Sequence, residues 1–192
     1  MPLSLLEAIR NLDTPLEDGL HDMAPEQDPR RLGLSATVAA QIRRYAEQVE
    51  RDESVPRDEA VSVFRLVGRR HDAALVFADA GRRAARYAAD SGFARARARL
   101  GGRLARRGAS AIAKETFGAA LGFPGPEAEV RLADPLSVEA WPGGDACGFY
   151  GAAFSELLRL VTGFEGVLAH VECRGRGDHA CIWRGAPAED YE

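Results

Sequence analysis

The chain has 192 residues, 46% of them hydrophobic and 28% charged, with a formal net charge of −4. That suits one globular domain with a full core, and no apolar run approaches the roughly 20 residues of a membrane span. The acidic balance argues against a general nucleic-acid binder, and Met1 to Arg10 lack the basic start and long apolar stretch of a secretory signal. A cytoplasmic protein is expected.

In chain order, LSLLEAIRN (3–11) can form a short helix. Residues 12–34 carry Pro15, Pro25 and Pro29 and read as a loop, so 1–34 is set apart as an arm or short helix. The domain proper is expected over 35–187, with an acidic tail at 188–192. Ser35 caps a helix whose apolar face is Val38, Ile42, Tyr45, Ala46 and Val49. Pro56 and Asp58 open a second helix through Val61, Phe64 and Val67, closed near Gly68. Asp72 can cap a third to about Ala89, with Val76, Ala80, Ala84, Tyr87 and Ala88 on a thin inner face that a ligand or neighbour can approach. A fourth helix is predicted over about 104–121, stopping at Gly122.

Beyond Pro126 the pattern changes. Residues 128–133 (AEVRLA) and 136–140 (LSVEA) alternate as strands do. Asp145 can cap a fifth helix to about Thr162, with Phe154, Leu157, Leu158 and Val161 on its apolar face. Residues 165–173 read as a strand, 174–178 as a turn and 179–184 as the returning strand. Helices followed by antiparallel strands indicate an α+β fold, a helical N-terminal part packed on a small sheet.

Two residue clusters carry chemistry. Nine arginines between Arg82 and Arg107 face one acid, Asp90; they form either a solvated face or a patch for an anionic partner such as a carboxylate-bearing ligand. The three cysteines all fall between 147 and 181, and an odd number suits a metal site better than a disulfide framework. A hairpin brings Cys173 near Cys181, the preceding helix can deliver Cys147, and His170 can supply a fourth ligand. Three thiolates and one imidazole make a closed tetrahedral zinc set. Glu172 and His179 compete for the fourth place, and three buried cysteines acting as small apolar residues are the plain alternative. In an ideal strand His170 and Cys173 point to opposite faces, so a bulge or strand end is needed to converge them.

The stretch HVECRGRGDHAC (170–181) resembles the closing motif of the 4-vinyl reductase domain family: Glu-x-x-Cys, a small residue, a Gly-Asp turn, then Cys. In zinc-bearing members an upstream Cys completes the site, a place that Cys147 takes here, while His170 stands where the family has Glu. VFADAGRRAARYAA (76–89), ADPLSVEAW and CGFYGAAFSELLRLVTG resemble the bacteriochlorophyll 4-vinyl reductase branch, and the likeness covers about 56–184. More distantly the pattern is similar to the aromatic-sensing domains of transcription activators and to vesicle-tethering (TRAPP) subunits.

The resemblance implies a structural zinc beside an apolar pocket, a homodimer through the helices and, in the pigment branch, a chlorophyll precursor such as a magnesium porphyrin as ligand. Phe77, Tyr87, Phe117, Phe149, Tyr150 and Phe154 are candidates for the slot, with plain core packing the commoner role for each, and Arg83 with its neighbours Arg82 and Arg86 for the ligand's carboxylates. The sequence shows little reductase equipment. No GxGxxG links a strand to a helix, since Gly175 and Gly177 lie in a hairpin turn, and no cysteine is spare for an iron–sulfur cluster. The expected role is therefore carrier or accessory factor. A sensor or scaffold for another hydrophobic ligand or partner is the alternative, and a reductase fed by an external donor is the third.

Overall fold

A computed structural model describes residues 1–14, 32–90, 102–125, 127–143 and 145–187. Residues 15–31 of the loop expected over 12–34, the arginines Arg95, Arg97 and Arg99, and the tail 188–192 lie outside the described residues; at the ends of that expected loop, Leu12 and Asp13 belong to the first helix and Leu32–Leu34 form a 3-10 turn. Five long helices come first or flank the sheet: α1 Pro2–Asp13, α2 Ala36–Glu50, α3 Arg57–Gly68, α4 Ala73–Ala89 and α5 Gly102–Phe117. Strands β1 Ala120–Gly122 and β2 Ala128–Leu132, the short helix α6 Leu136–Ala140, the helix α7 Gly148–Thr162, and strands β3 Gly166–Glu172 and β4 Cys181–Pro187 follow. The four strands form one antiparallel sheet in the order β1-β2-β4-β3. This is the α+β architecture that the sequence predicts. Among the described residues no helix is long and apolar enough to cross a membrane.

The first residues belong to the core. Leu5, Ala8 and Ile9 of α1 are fully buried, and burial of each large side chain stabilises the fold by about 1.5–3 kcal/mol. Asp13 at the end of α1 accepts from the Gly33 backbone at 2.8 Å and from Arg70 Nη2 at 2.6 Å, which ties α1 to the chain beyond α3. Ser35 caps α2 as expected, accepting from the Val38 N–H at 3.2 Å.

Three local expectations are corrected. LSVEA forms α6 rather than a strand: with Pro135 at its N-cap, one helical turn buries Leu136 and Ala140 together, and over five residues that pattern cannot be told from alternation. The fourth helix ends at Phe117, and Ala120 to Gly122 turn back as β1, a strand too short to show a period. Asp72 stands at the N-cap of α4 without capping it, because its carboxylate is taken by Arg70 Nε at 2.7 Å.

The core joins α4 to α7. Val76, Phe77, Ala80, Gly81, Ala84 and Ala85 of α4 face Phe149, Tyr150, Ala153, Phe154 and Leu157 of α7. Tyr87, expected on that inner face, is instead 44% exposed, with its hydroxyl donating to Glu7 of α1. Small side chains along α4 let the helices meet backbone to backbone: a Cβ on Gly81 would lie 2.2 Å from the Phe149 carbonyl oxygen.

One buried charge clamps the same pair of helices. Glu156 of α7 accepts from Arg86 Nε of α4 and from Arg159 Nε, both at 2.8 Å. These hydrogen bonds, that of Arg159 foremost, hold the carboxyl down to about 2 against the upward push of burial. A depressed carboxyl contributes stability above its unfolded pKa and loses it as pH falls toward the folded one. The clamp should therefore contribute fully above about pH 4.5 and fade toward pH 2. Urea unfolding should show Glu156→Gln less stable than wild type by on the order of 1–3 kcal/mol at neutral pH, the arginines being half exposed. The gap should close as pH approaches 2.5; a gap independent of pH would exclude the clamp.

Candidate metal centre and ligand surfaces

The candidate metal site is assembled from three elements. A 3-10 turn, Asp145–Cys147, leads into α7 and leaves Cys147 at the helix N-cap, with its Sγ 3.3 Å from Ser137 Oγ of α6. Asp145 is thus the start of this turn and not the cap of α7. Cys181 opens β4, and Cys173 follows the end of β3.

The strand geometry resolves the problem of opposite faces. The register of β3 on β4 pairs His170 with Trp183 and then Glu172 with Ile182, so Val171 is the extra residue of a β-bulge. Continuing that register sets Cys173 across from Cys181. Without the bulge His170 and Cys173 would alternate apart; with it both face inward. The turn that follows is built for this end. Cys173 donates its N–H to Asp178 Oδ2 at 2.7 Å, and Gly177 takes a left-handed φ of 100°.

The ligand atoms of Cys147, His170, Cys173 and Cys181 all lie within 4.8 Å of one another, close enough to hold a metal ion. Cys181 Sγ is 3.9 Å from both Cys147 Sγ and Cys173 Sγ. The three thiols are buried. Burial, the largest cause, pushes the Cys147 and Cys181 thiols above their ordinary range, so a bound cation is what would favour the thiolate forms. The Arg174 N–H at 3.3 Å from Cys181 Sγ is one donor already aimed at that sulfur.

His170 is the fourth group of the cluster. Its ring stacks on Trp183 with centroids 4.5 Å apart and planes 10° apart. Its Nε2 is buried without a hydrogen-bond partner. Burial first, and Arg176 second, hold the imidazole below its ordinary range, which keeps a lone pair available. A buried nitrogen left unpaired costs free energy unless something fills it, and the ring offers one nitrogen to the cluster of three sulfurs. Of the competitors, His179 is exposed, and neither it nor Glu172 belongs to the cluster. Sequence reasoning missed Ser137, Asp178 and Trp183. The hairpin register points to Trp183, and the Gly-Asp turn to Asp178.

The proposed ligand-binding residues separate into three groups. Phe77, Phe117, Phe149, Tyr150 and Phe154 are buried and packed edge-to-face or stacked with one another, with Phe64 and with Trp183, at centroid distances from 5.1 to 6.3 Å. Tyr87 lines a groove of about 560 Å³ between α1, α2, α4 and α5. Arg83 is held by Asp79 Oδ2 at 2.8 Å, one turn earlier on α4. Its neighbour Arg82 has no such partner among the described residues and lines a cleft of about 400 Å³ with Ser155, Glu156, Arg159, Phe164 and Glu165, where α4, α7 and the start of β3 meet.

No protein-family model, no curated protein and no solved structure matches the chain. Its chemistry is read from this geometry.

Proposed function

We propose that Cys147, His170, Cys173 and Cys181 hold one zinc ion in a closed, structural site, and that the domain it braces binds a hydrophobic small molecule as a carrier or accessory factor. One observation carries the metal reading. A metal–sulfur bond of about 2.3 Å sets the edge of a tetrahedron at roughly 3.8 Å, and Cys181 Sγ stands 3.9 Å from each of the other two sulfurs. Soft thiolates with imidazole suit zinc over magnesium or calcium. Four protein ligands leave no position for water, so the ion's part is to pin the start of α7 to the last hairpin. Elemental analysis of purified protein should give one zinc per chain; its absence, or another metal in stoichiometric amount, overturns this reading.

For the ligand, a tetrapyrrole of the kind used in bacteriochlorophyll synthesis is the reading that the sequence resemblance favours. The cleft beside Arg82 supports it, with an arginine that makes no ion pair among the described residues, although Glu165 shares the lining, and with the Phe164 ring beside it. Titration with magnesium protoporphyrin should shift its Soret band with a Kd of about 1–10 μM, and Arg82→Gln should weaken binding severalfold. No shift and no retention of the pigment on a column would sink the tetrapyrrole reading. The zinc would stand, and a sensor or scaffold role would take its place. A homodimer through the helices belongs to the same proposal, and sedimentation at twice the monomer mass tests it.

A further inference from the structure

We infer that the groove between α1, α2, α4 and α5 is a second binding site, for a small molecule that joins an apolar, preferably aromatic, body to an ammonium or guanidinium group. It rests on neither the zinc nor the tetrapyrrole reading.

The groove has the layout of a ligand site: an apolar floor and a few polar groups at the mouth. Leu3, Ala84 and Ile112 form the floor and are 7%, 5% and 8% exposed. Val49 and Tyr87 stand at the mouth, 54% and 44% exposed. The volume of about 560 Å³ lies within the range of small-molecule sites, roughly 300–1,000 Å³.

Charge decides what can enter. Asp52, Glu53 and Glu115 line the groove, and among the described residues no lysine or arginine does. Among the described residues none of these three carboxylates makes an ion pair or a side-chain hydrogen bond, in contrast to the acids elsewhere that arginines hold, such as Asp13, Asp79 and Glu156. A carboxylate ligand would meet three like charges, and a neutral one would leave them unused. A cation on an apolar stem complements both floor and rim.

Tyr87 supplies the remaining contact. Its hydroxyl is committed to Glu7, which fixes the ring, and burial pushes the phenol up to about 12, so it stays neutral. A half-exposed neutral ring beside carboxylates is a favourable place for an organic cation. The cleft at Arg82 mixes two arginines with Glu156 and Glu165, whereas the charged side chains that line this groove among the described residues are all acids.

Two isosteric probes, 4-phenylbutylammonium and 4-phenylbutyrate, test this on the full chain by ligand-observed NMR at low salt. The ammonium should bind with a Kd below about 1 mM and the carboxylate at least tenfold more weakly, and about 0.5 M NaCl should shrink the difference. Asp52→Asn combined with Glu115→Gln should raise the ammonium Kd at least about fivefold. Thr116→Trp, at an exposed lining position, should obstruct binding without changing charge. Arg82→Gln should leave it unchanged. Equal affinity for both probes, no binding of either at about 5 mM, or unaltered binding in the Asp52/Glu115 double variant would overturn the inference. All three charged positions are on the surface, so that variant decides the matter even if Thr116→Trp fails to fold.

Discussion

Stripping the metal with a strong chelator should lower the melting temperature by about 8–16 °C. A ligand present at 1,000 times its Kd stabilises the folded state by about 4 kcal/mol, and a domain of this size loses roughly 2–4 °C per kcal/mol. The physical cause is local. Without a cation, three buried sulfurs crowd together with only weak thiol contacts, His170 Nε2 stays buried without a hydrogen-bond partner, and the start of α7 is no longer held to β4. Cys173→Ser and Cys181→Ser should each lose most of the zinc and reproduce the loss in stability without chelator, because bound metal adds directly to folding free energy. Calorimetry with and without chelator, alongside zinc analysis, checks this. If the chelator leaves the transition of a zinc-loaded protein where it was, the ion is not structural. His170→Ala sharpens the assignment: it should lower zinc affinity by at least about tenfold, whereas full occupancy would return the fourth place to Glu172 or His179.

A methyl group at Gly81 should be the most damaging small change in the helical layer. Its Cβ would sit 2.2 Å from the Phe149 carbonyl oxygen and 3.0 Å from the Ala153 nitrogen. Both are backbone atoms of α7, so no rotamer can yield, and α4 and α7 must separate. Overpacking of this kind costs about 1–3 kcal/mol and sometimes more, hence a melting temperature lower by about 2–12 °C. Gly81→Val should be worse. Because Cys147 stands at the N-cap of α7, the same substitution should also weaken zinc retention, although Gly81 is not a ligand. Gly148→Ala is the control, since its Cβ would meet nothing within 4 Å. Equal stability of the Gly81 and Gly148 variants would rule out the tight helix pair.

Much of the architecture was legible because it rests on local rules. The apolar faces of α2, through Val38, Ile42 and Tyr45, and of α3 follow a helical period, although Val49, expected on the α2 face, is exposed; Ser35 is a capping residue, and AEVRL alternates buried and exposed residues because one face of the sheet is covered and the other is solvated. Failures came where two local patterns coincide. LSVEA satisfies both a strand and one helical turn, and ALG is too short to satisfy either. Tyr87 fits the period of the inner face of α4, yet Glu7, distant in sequence, draws its hydroxyl outward. The slot candidates show the same limit from the other side. An aromatic residue on an apolar face has the same signature whether it lines a cavity or fills a core, and Phe149, Tyr150 and Phe154 pack on their neighbours.

The metal centre divides most clearly. Residue types and order alone determined that three thiols and an imidazole lie on a helix start and a closing hairpin, because softness, count and hairpin proximity are properties of the chain. Whether His170 could join them was a matter of which way one side chain points, and strand alternation opposed it. Only the tertiary structure decided it: pairing with β4 places an extra residue at Val171, the bulge restores His170 and Cys173 to one face, and stacking on Trp183 fixes the ring among the sulfurs. A bulge is a relation between two strands, so neither strand carries it alone.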